Sequence, residues 1–141
     1  SIQIVESREC RKEDLKNLVQ FWKENRKAKG RVYDHQYIKA IKSDFEGVDV
    51  TKVALFNSKP IAISAGWKIP NSKGFYLFMN IHDYRYKNIG EYINLALLRE
   101  LKSKGIEYIN FGGDDRKGLI FKLKFQPDTI YKTYSFYISR K

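Results

Sequence analysis

Six consecutive residues, Arg85-Tyr86-Lys87-Asn88-Ile89-Gly90, combine two cations with two residues that tolerate unusual backbone angles. They stand between an apolar run and a helical pattern. A loop that feeds a helix presents unpaired N–H groups and the positive end of the helix dipole, a seat for phosphate. Asn88 and Gly90 accept the φ > 0 that turns such N–H groups inward, and Arg85 and Lys87 add charge. The plainer alternative is an ordinary turn with Gly90 kept for packing. Asp83, Asp114 and Asp115 are candidates for a general base or for gripping a cationic ligand, against the alternative of solvated acidic turns. Lys122 and Lys124 are placed to contact a ligand phosphate or a nucleic-acid backbone, or to form the wet face of a short helix. Trp67 and the many tyrosines could stack on bases, although aromatics on strands commonly serve packing.

Other chemistries are poorly provided for. The single cysteine, Cys10, cannot close an intramolecular disulfide, and no second one exists for a zinc site. His35 and His82 are far apart, so no metal-ligand cluster is expected. The 27 Lys/Arg against 16 Asp/Glu give a net charge of +11, a field that attracts polyanions such as nucleic acid, acidic lipid or a phosphate-rich cofactor. The lysines are scattered, so a merely solvated surface is the competing explanation. No apolar run approaches the roughly 20 residues of a membrane span. Ser1 opens directly into an apparent strand, so no leader is expected and the expected compartment is the cytoplasm. The 141 residues suit one domain, 1–141.

The elements that must carry these residues follow from periodicity. Ile2–Val5 alternates as a strand. Arg11–Lys29 is helical, with Leu15, Leu18, Val19 and Trp22 as its stripe and Gly30 as its stop. Asp34–Phe45 reads as a second helix, broken at Gly47. Strands follow at Lys52–Asn57, Ile61–Ile69 and Phe75–His82, with turns at Asn57–Pro60 and Pro70–Gly74. Gly90–Lys104 is a long helix with Ile93, Leu97, Leu98 and Leu101 on one side and Gly105 as its cap. Ile106–Phe111 is a strand, Lys117–Phe125 a short helix ended before Pro127, and Thr129–Ser139 a final strand. The order is β-α-α-β-β-β-α-β-α-β. Tight turns make the middle strands antiparallel, and the long helix carries the chain to a parallel neighbour. The expected fold class is α/β (α+β): a mixed, mostly antiparallel sheet flanked by helices.

This order resembles the Gcn5-related N-acetyltransferase (GNAT) superfamily over nearly the whole chain, Ile2 to Ile138. Members carry Arg/Gln-x-x-Gly-x-Gly/Ala at the strand–helix junction. Here Arg85 and Gly90 match, and Asn88 stands where the first Gly is usual. A second match, Asn110-Phe111-Gly112-Gly113 followed by Gly118 to Pro127 with its Phe121-Lys122-Leu123-Lys124-Phe125, is similar to one branch. That branch holds lysylphosphatidylglycerol synthase C-terminal domains and Fem-type aminoacyltransferases, whose donor is aminoacyl-tRNA. The tyrosine that protonates the leaving thiolate in many acetyl-CoA enzymes is replaced by Ile120.

The resemblance implies acyl transfer to an amine, with acetyl-CoA or another acyl-CoA as donor substrate and no metal. It places a donor arm between two splayed parallel strands. Met79, Asn80 and Ile81 would line one side and Asn110 to Gly113 the other. Arg85, Lys87, Asn88, Ile89, Gly90 and Lys122 would hold the donor phosphates. Asn110 and Asp114 are the catalytic candidates, and Tyr131 or Tyr134 would replace the missing acid unless the donor is not a CoA thioester. Two alternatives stay open: a tRNA-dependent aminoacyltransferase, and a nucleic-acid binder that kept the fold without the chemistry.

Overall fold

The computed structural model describes residues 1–26 and 34–111. The helix Lys117–Phe125 and the strand Thr129–Ser139 expected above lie outside them. In chain order the described elements are β1 (Ile2–Val5), α1 (Lys12–Asn25), α2 (Asp34–Lys42), β2 (Val50–Phe56), β3 (Lys59–Lys68), β4 (Gly74–His82), α3 (Ile89–Ser103) and β5 (Tyr108–Asn110). A single turn of 3-10 helix, Ser7–Glu9, joins β1 to α1.

The five strands form one sheet in the order β1-β2-β3-β4-β5. Every pair is antiparallel except β4–β5, which is parallel and bridged by α3. This is the arrangement expected from tight turns followed by one helical crossover. The β2–β3 turn closes on Asn57 and Ser58, both at positive φ (49° and 63°). Such a two-residue turn matches the twist of its strands, so Lys59 and Pro60 join β3 rather than the loop.

Two helix ends differ from expectation. Helix α1 is capped at Arg26, whose backbone is already extended, so the helical stretch stops short of Lys29. Helix α2 ends at Lys42 rather than Phe45, because Asp44 and Phe45 both take left-handed φ near 55°. Phe45 still buries its ring, now from a turn rather than a helix.

The helices cover opposite faces of the sheet. Leu15, Leu18 and Val19 of α1 and Tyr37 and Ile41 of α2 pack on Val53, Ile63, Ala65, Met79 and Ile81. Helix α3 lays Leu97 and Leu101 on Val50, Phe75 and Leu77, and Ile89 and Ile93 on Ala54, Ile61 and Ala62. A half-buried ion pair between Lys52 and Glu100 also ties β2 to α3.

Strand β4 changes sides part-way. Ala65 pairs with Met79 but the next residue, Gly66, pairs with Leu77, so Phe78 is an extra residue in β4. A bulge of this kind bends a strand and shifts its alternation by one. Accordingly Phe75 and Leu77 face α3, whereas Met79 and Ile81, at the same parity, face α1 and α2.

Candidate functional site

The bulge sits where β4 leaves its parallel neighbour. Pairing with β5 covers only Gly74–Tyr76 against Tyr108–Asn110. From Leu77 to His82, β4 continues with no strand paired on that edge among the described residues. Asn110, opposite Tyr76, is the last paired residue of β5 and marks the mouth of the gap. A free strand edge exposes backbone N–H and C=O groups, which an extended ligand can pair with as another strand would.

Helix α3 begins beside the far end of that edge. Its N-cap, Asn88, has φ 62° and ψ 11°, and its side chain makes no capping hydrogen bond. The left-handed backbone expected of this loop is therefore present at Asn88, where the short side chain tolerates it. Gly90 does something else. Its φ is not positive, and a Cβ there would lie 3.1 Å from Cε1 and Nδ1 of His82. Glycine at this position lets the last residue of β4 lie against the first turn of α3. Lys87 is exposed, Ile89 and Gly90 are buried, and the Gly90 N–H has no protein acceptor among the described residues. Lys87 and Glu91 set one charge of each sign at this terminus.

Arg85 is engaged elsewhere. Its Nη2 lies 2.6 Å from Asp83 Oδ2 and its Nε 3.0 Å from Asp83 Oδ1, and its backbone N–H donates to the same Oδ1 at 2.9 Å. The guanidinium also lies 4.4 Å from the centre of the Phe21 ring on α1. Asp83 is 5% exposed. Burial pushes its carboxyl up, but the hydrogen bonds and charge of Arg85 together outweigh this and hold it below its ordinary value of 3.8. Asp83 thus organises the loop and neutralises Arg85, which leaves Lys87 and the backbone of α3 to meet an anion.

Of the three β4 residues expected to line the gap, Met79 and Ile81 bury their side chains in the α1/α2 core and can contribute backbone alone. Asn80 is half-buried and points to the α3 side. There Ser64 Oγ lies 2.9 Å from Asn80 Oδ1 and 2.7 Å from Oδ1 of Asn94, a fully buried residue of α3. Sequence reasoning did not single out Ser64 or Asn94. The signal was available: each is a polar residue at an inward position of an otherwise apolar pattern. On the opposite face, Trp67 stacks on Tyr76 and Phe78, with ring centres 5.0 and 5.3 Å apart. Trp67 and Phe78 form the apolar wall of a shallow groove of about 400 Å³, whose polar side is Gln36, Lys39, Ser43 and Glu46 of and after α2. Asp114, Lys122, Tyr131 and Tyr134 lie outside the described residues.

No family profile matches the chain, and no curated protein does. Solved structures do. An aminoglycoside acetyltransferase from an uncultured soil metagenomic sample, in complex with sisomicin, is 17% identical with a TM-score of 0.68, over 100% of this chain and 96% of that one. The fold is the N-acetyltransferase fold. Glucosamine-6-phosphate N-acetyltransferase from Arabidopsis thaliana is similar at 16% identity and TM-score 0.62, over 99% of each chain. The PaiA N-acetyltransferase of Thermoplasma acidophilum, in complex with coenzyme A, gives 20% identity and TM-score 0.62 over 89% of this chain and 88% of that one. No helix among the described residues is long and apolar enough to cross a membrane.

Proposed function

We propose that the chain, acting as one domain over residues 1–141, is an acyltransferase that moves an acyl group from an acyl-CoA to an amine. The observation that carries this reading is the parting of β4 from β5 after Tyr76, beside a helix whose first turn is left uncapped by Asn88. The two features suit the two ends of an acyl-CoA. Its amide-bearing arm pairs with the open edge of β4 as a short strand would, and its pyrophosphate meets the N-terminus of α3 and Lys87. The PaiA N-acetyltransferase of Thermoplasma acidophilum, of the same fold and in complex with coenzyme A, supports an acyl-CoA as donor.

In the reaction the acceptor nitrogen attacks the thioester carbonyl as its proton passes to a base or to ordered water. The carbonyl oxygen becomes an oxyanion, the C–S bond breaks, and the thiolate takes up a proton. Backbone N–H groups on the open edge of β4 stand ready to hold the oxyanion. Asn110, at the mouth of the gap, and Asp114 beyond it are the proposed groups facing the amine, with Tyr131 or Tyr134 as proton donor to the thiolate. The proposed compartment is the cytoplasm, where acyl-CoA is available.

A second reading, transfer of an aminoacyl group from tRNA, is favoured by the net charge of +11 and by the pairing of Arg85 with Asp83, which leaves the phosphate seat weaker than the loop sequence implies. Titration calorimetry with acetyl-CoA separates the two. Under the first reading the protein binds acetyl-CoA, and Lys87→Glu, an exposed change, weakens binding about tenfold at low salt. Absence of binding, together with tRNA retention that falls steeply with salt, refutes the first reading in favour of the second.

A further inference from the structure

Three polar side chains meet in the otherwise apolar layer between the sheet and α3. Ser64 of β3 is 0% exposed and Asn94 of α3 is 2% exposed, while Asn80 of β4 is half-buried. The Ser64 hydroxyl stands between the two amides, 2.9 Å from Asn80 Oδ1 and 2.7 Å from Asn94 Oδ1. One hydroxyl proton cannot serve two carbonyl oxygens, so one amide turns its NH2 to Ser64. A buried N–H without an acceptor is costlier than an under-used carbonyl. As the NH2 of Asn94 otherwise has no partner, it is the Asn94 amide that turns. The protons then run one way: Asn94 NH2 donates to Ser64, and Ser64 donates to Asn80. Bonds ordered in one direction polarise each other.

The arrangement fixes Asn80. Ser64 and Asn80 are opposite residues of the β3–β4 pair. The Asn80 carbonyl oxygen therefore points back toward β3, so its NH2 is turned from Ser64, and on the side of β4 away from β3 lies the edge that β5 leaves open. That NH2 has no protein acceptor among the described residues. An apolar cluster would hold α3 on the sheet without the risk of a half-satisfied network.

We propose that Ser64 and Asn94 are positioning residues that hold Asn80 with its NH2 at the open edge of β4, where it donates to a carbonyl oxygen of the donor's amide-bearing arm. This rests on the acyl-CoA reading above. The test is a double-mutant cycle on acetyl-CoA affinity, with a thermal melt of every variant. Asn80→Ala weakens binding about tenfold, and Asn94→Leu in the native background weakens it about three- to tenfold. In the Asn80→Ala background Asn94→Leu changes affinity by less than twofold, although it still shifts the melting temperature there. Ser64→Ala with Asn80→Ala forms a second cycle should Asn94→Leu fail to fold. Equal losses in both backgrounds, or no loss from Asn94→Leu and Ser64→Ala alone, overturn the inference and leave the donor reading standing. Failure of the native protein to bind acetyl-CoA overturns both.

Discussion

Gly66→Ala tests the bulge directly. Gly66 is fully buried in β3, opposite the point where Phe78 is extruded from β4. A Cβ there meets the carbonyl oxygen of Tyr76 and comes within 2.7 and 2.9 Å of two ring carbons of Phe75. The ring can tilt, but the carbonyl belongs to the backbone of β4, so the methyl fits only if the two strands separate. Overpacking a tight interior costs about 1–3 kcal/mol, and a backbone clash falls at the upper end, about 3 kcal/mol. Unfolding entropy near 2.1 cal/mol/K per residue gives about 0.3 kcal/mol per kelvin for 141 residues, hence a drop of about 10 °C in melting temperature. Gly47→Ala is the control, since a Cβ there meets no atom within 4 Å but the residue has φ 79°. Its cost is the left-handed penalty alone, about 1 kcal/mol or about 3 °C. The assay is thermal unfolding by circular dichroism, with acetyl-CoA titration below the transition. If the proposed acyl-CoA donor binds along β4, Gly66→Ala also weakens acetyl-CoA binding, because it displaces β4 where the gap opens, whereas Gly47→Ala does not. A smaller shift for Gly66→Ala than for Gly47→Ala would show that β3 and β4 do not need this close approach.

Other expectations follow from the same geometry. Burial pushes Glu100 up, but its hydrogen bond and attraction to Lys52 outweigh this and keep its carboxyl below its ordinary value of 4.5. The stability it contributes is present above that value and lost as pH falls through the lower, folded one. Glu100→Gln therefore lowers stability at pH 7 by about 1–3 kcal/mol and flattens the acid limb of the stability curve, as urea titrations between pH 7 and 3 will show. Burial first, then Glu9 and Asp14, push the Cys10 thiol up to about 11. Its alkylation by iodoacetamide at pH 8 is about a hundredfold slower than that of free cysteine, and a rate equal to free thiol would contradict the packing around it. Asn88→Gly leaves stability within about 0.5 kcal/mol, whereas Asn88→Val, forced to φ 62°, loses about 2 kcal/mol in thermal melts.

The strands and helices were legible because their patterns agree with local turn chemistry. Asn57-Ser58 announced the hairpin, and Gly105, at φ 79°, the end of α3. The end of α2 moved because of Asp44 and Phe45, where a buried aromatic holds a turn that periodicity reads as helix, and the end of α1 because the backbone is already extended at Arg26. The candidate site was legible only in the backbone of its loop. Asn88 takes the left-handed conformation its type allows. Arg85, chosen for its charge, spends that charge on Asp83 two residues away, a pairing that composition does not reveal. Met79 and Ile81 are in the right strand, but a one-residue phase slip at Phe78 decides which side chains enter the core. Ser64 and Asn94 are 30 residues apart, and only the fold shows that the Ser64 hydroxyl and the Asn94 amide are hydrogen-bonded.

The slip at Phe78 makes β4 far more sensitive to its length than to its composition. Removing Phe78 would only straighten the strand, because the pairing of Met79, Asn80 and Ile81 is kept without it, whereas adding one residue between Met79 and Asn80 would send the residues after it, Asn80 included, to the wrong helix layer. Exchanging one apolar side chain for another of similar volume would disturb a single contact. Single-residue insertions should therefore be purged from the stretch after Phe78 while conservative replacements accumulate, so a deep library of insertions and point changes across Gly74–His82 would yield few survivors of the first kind and many of the second.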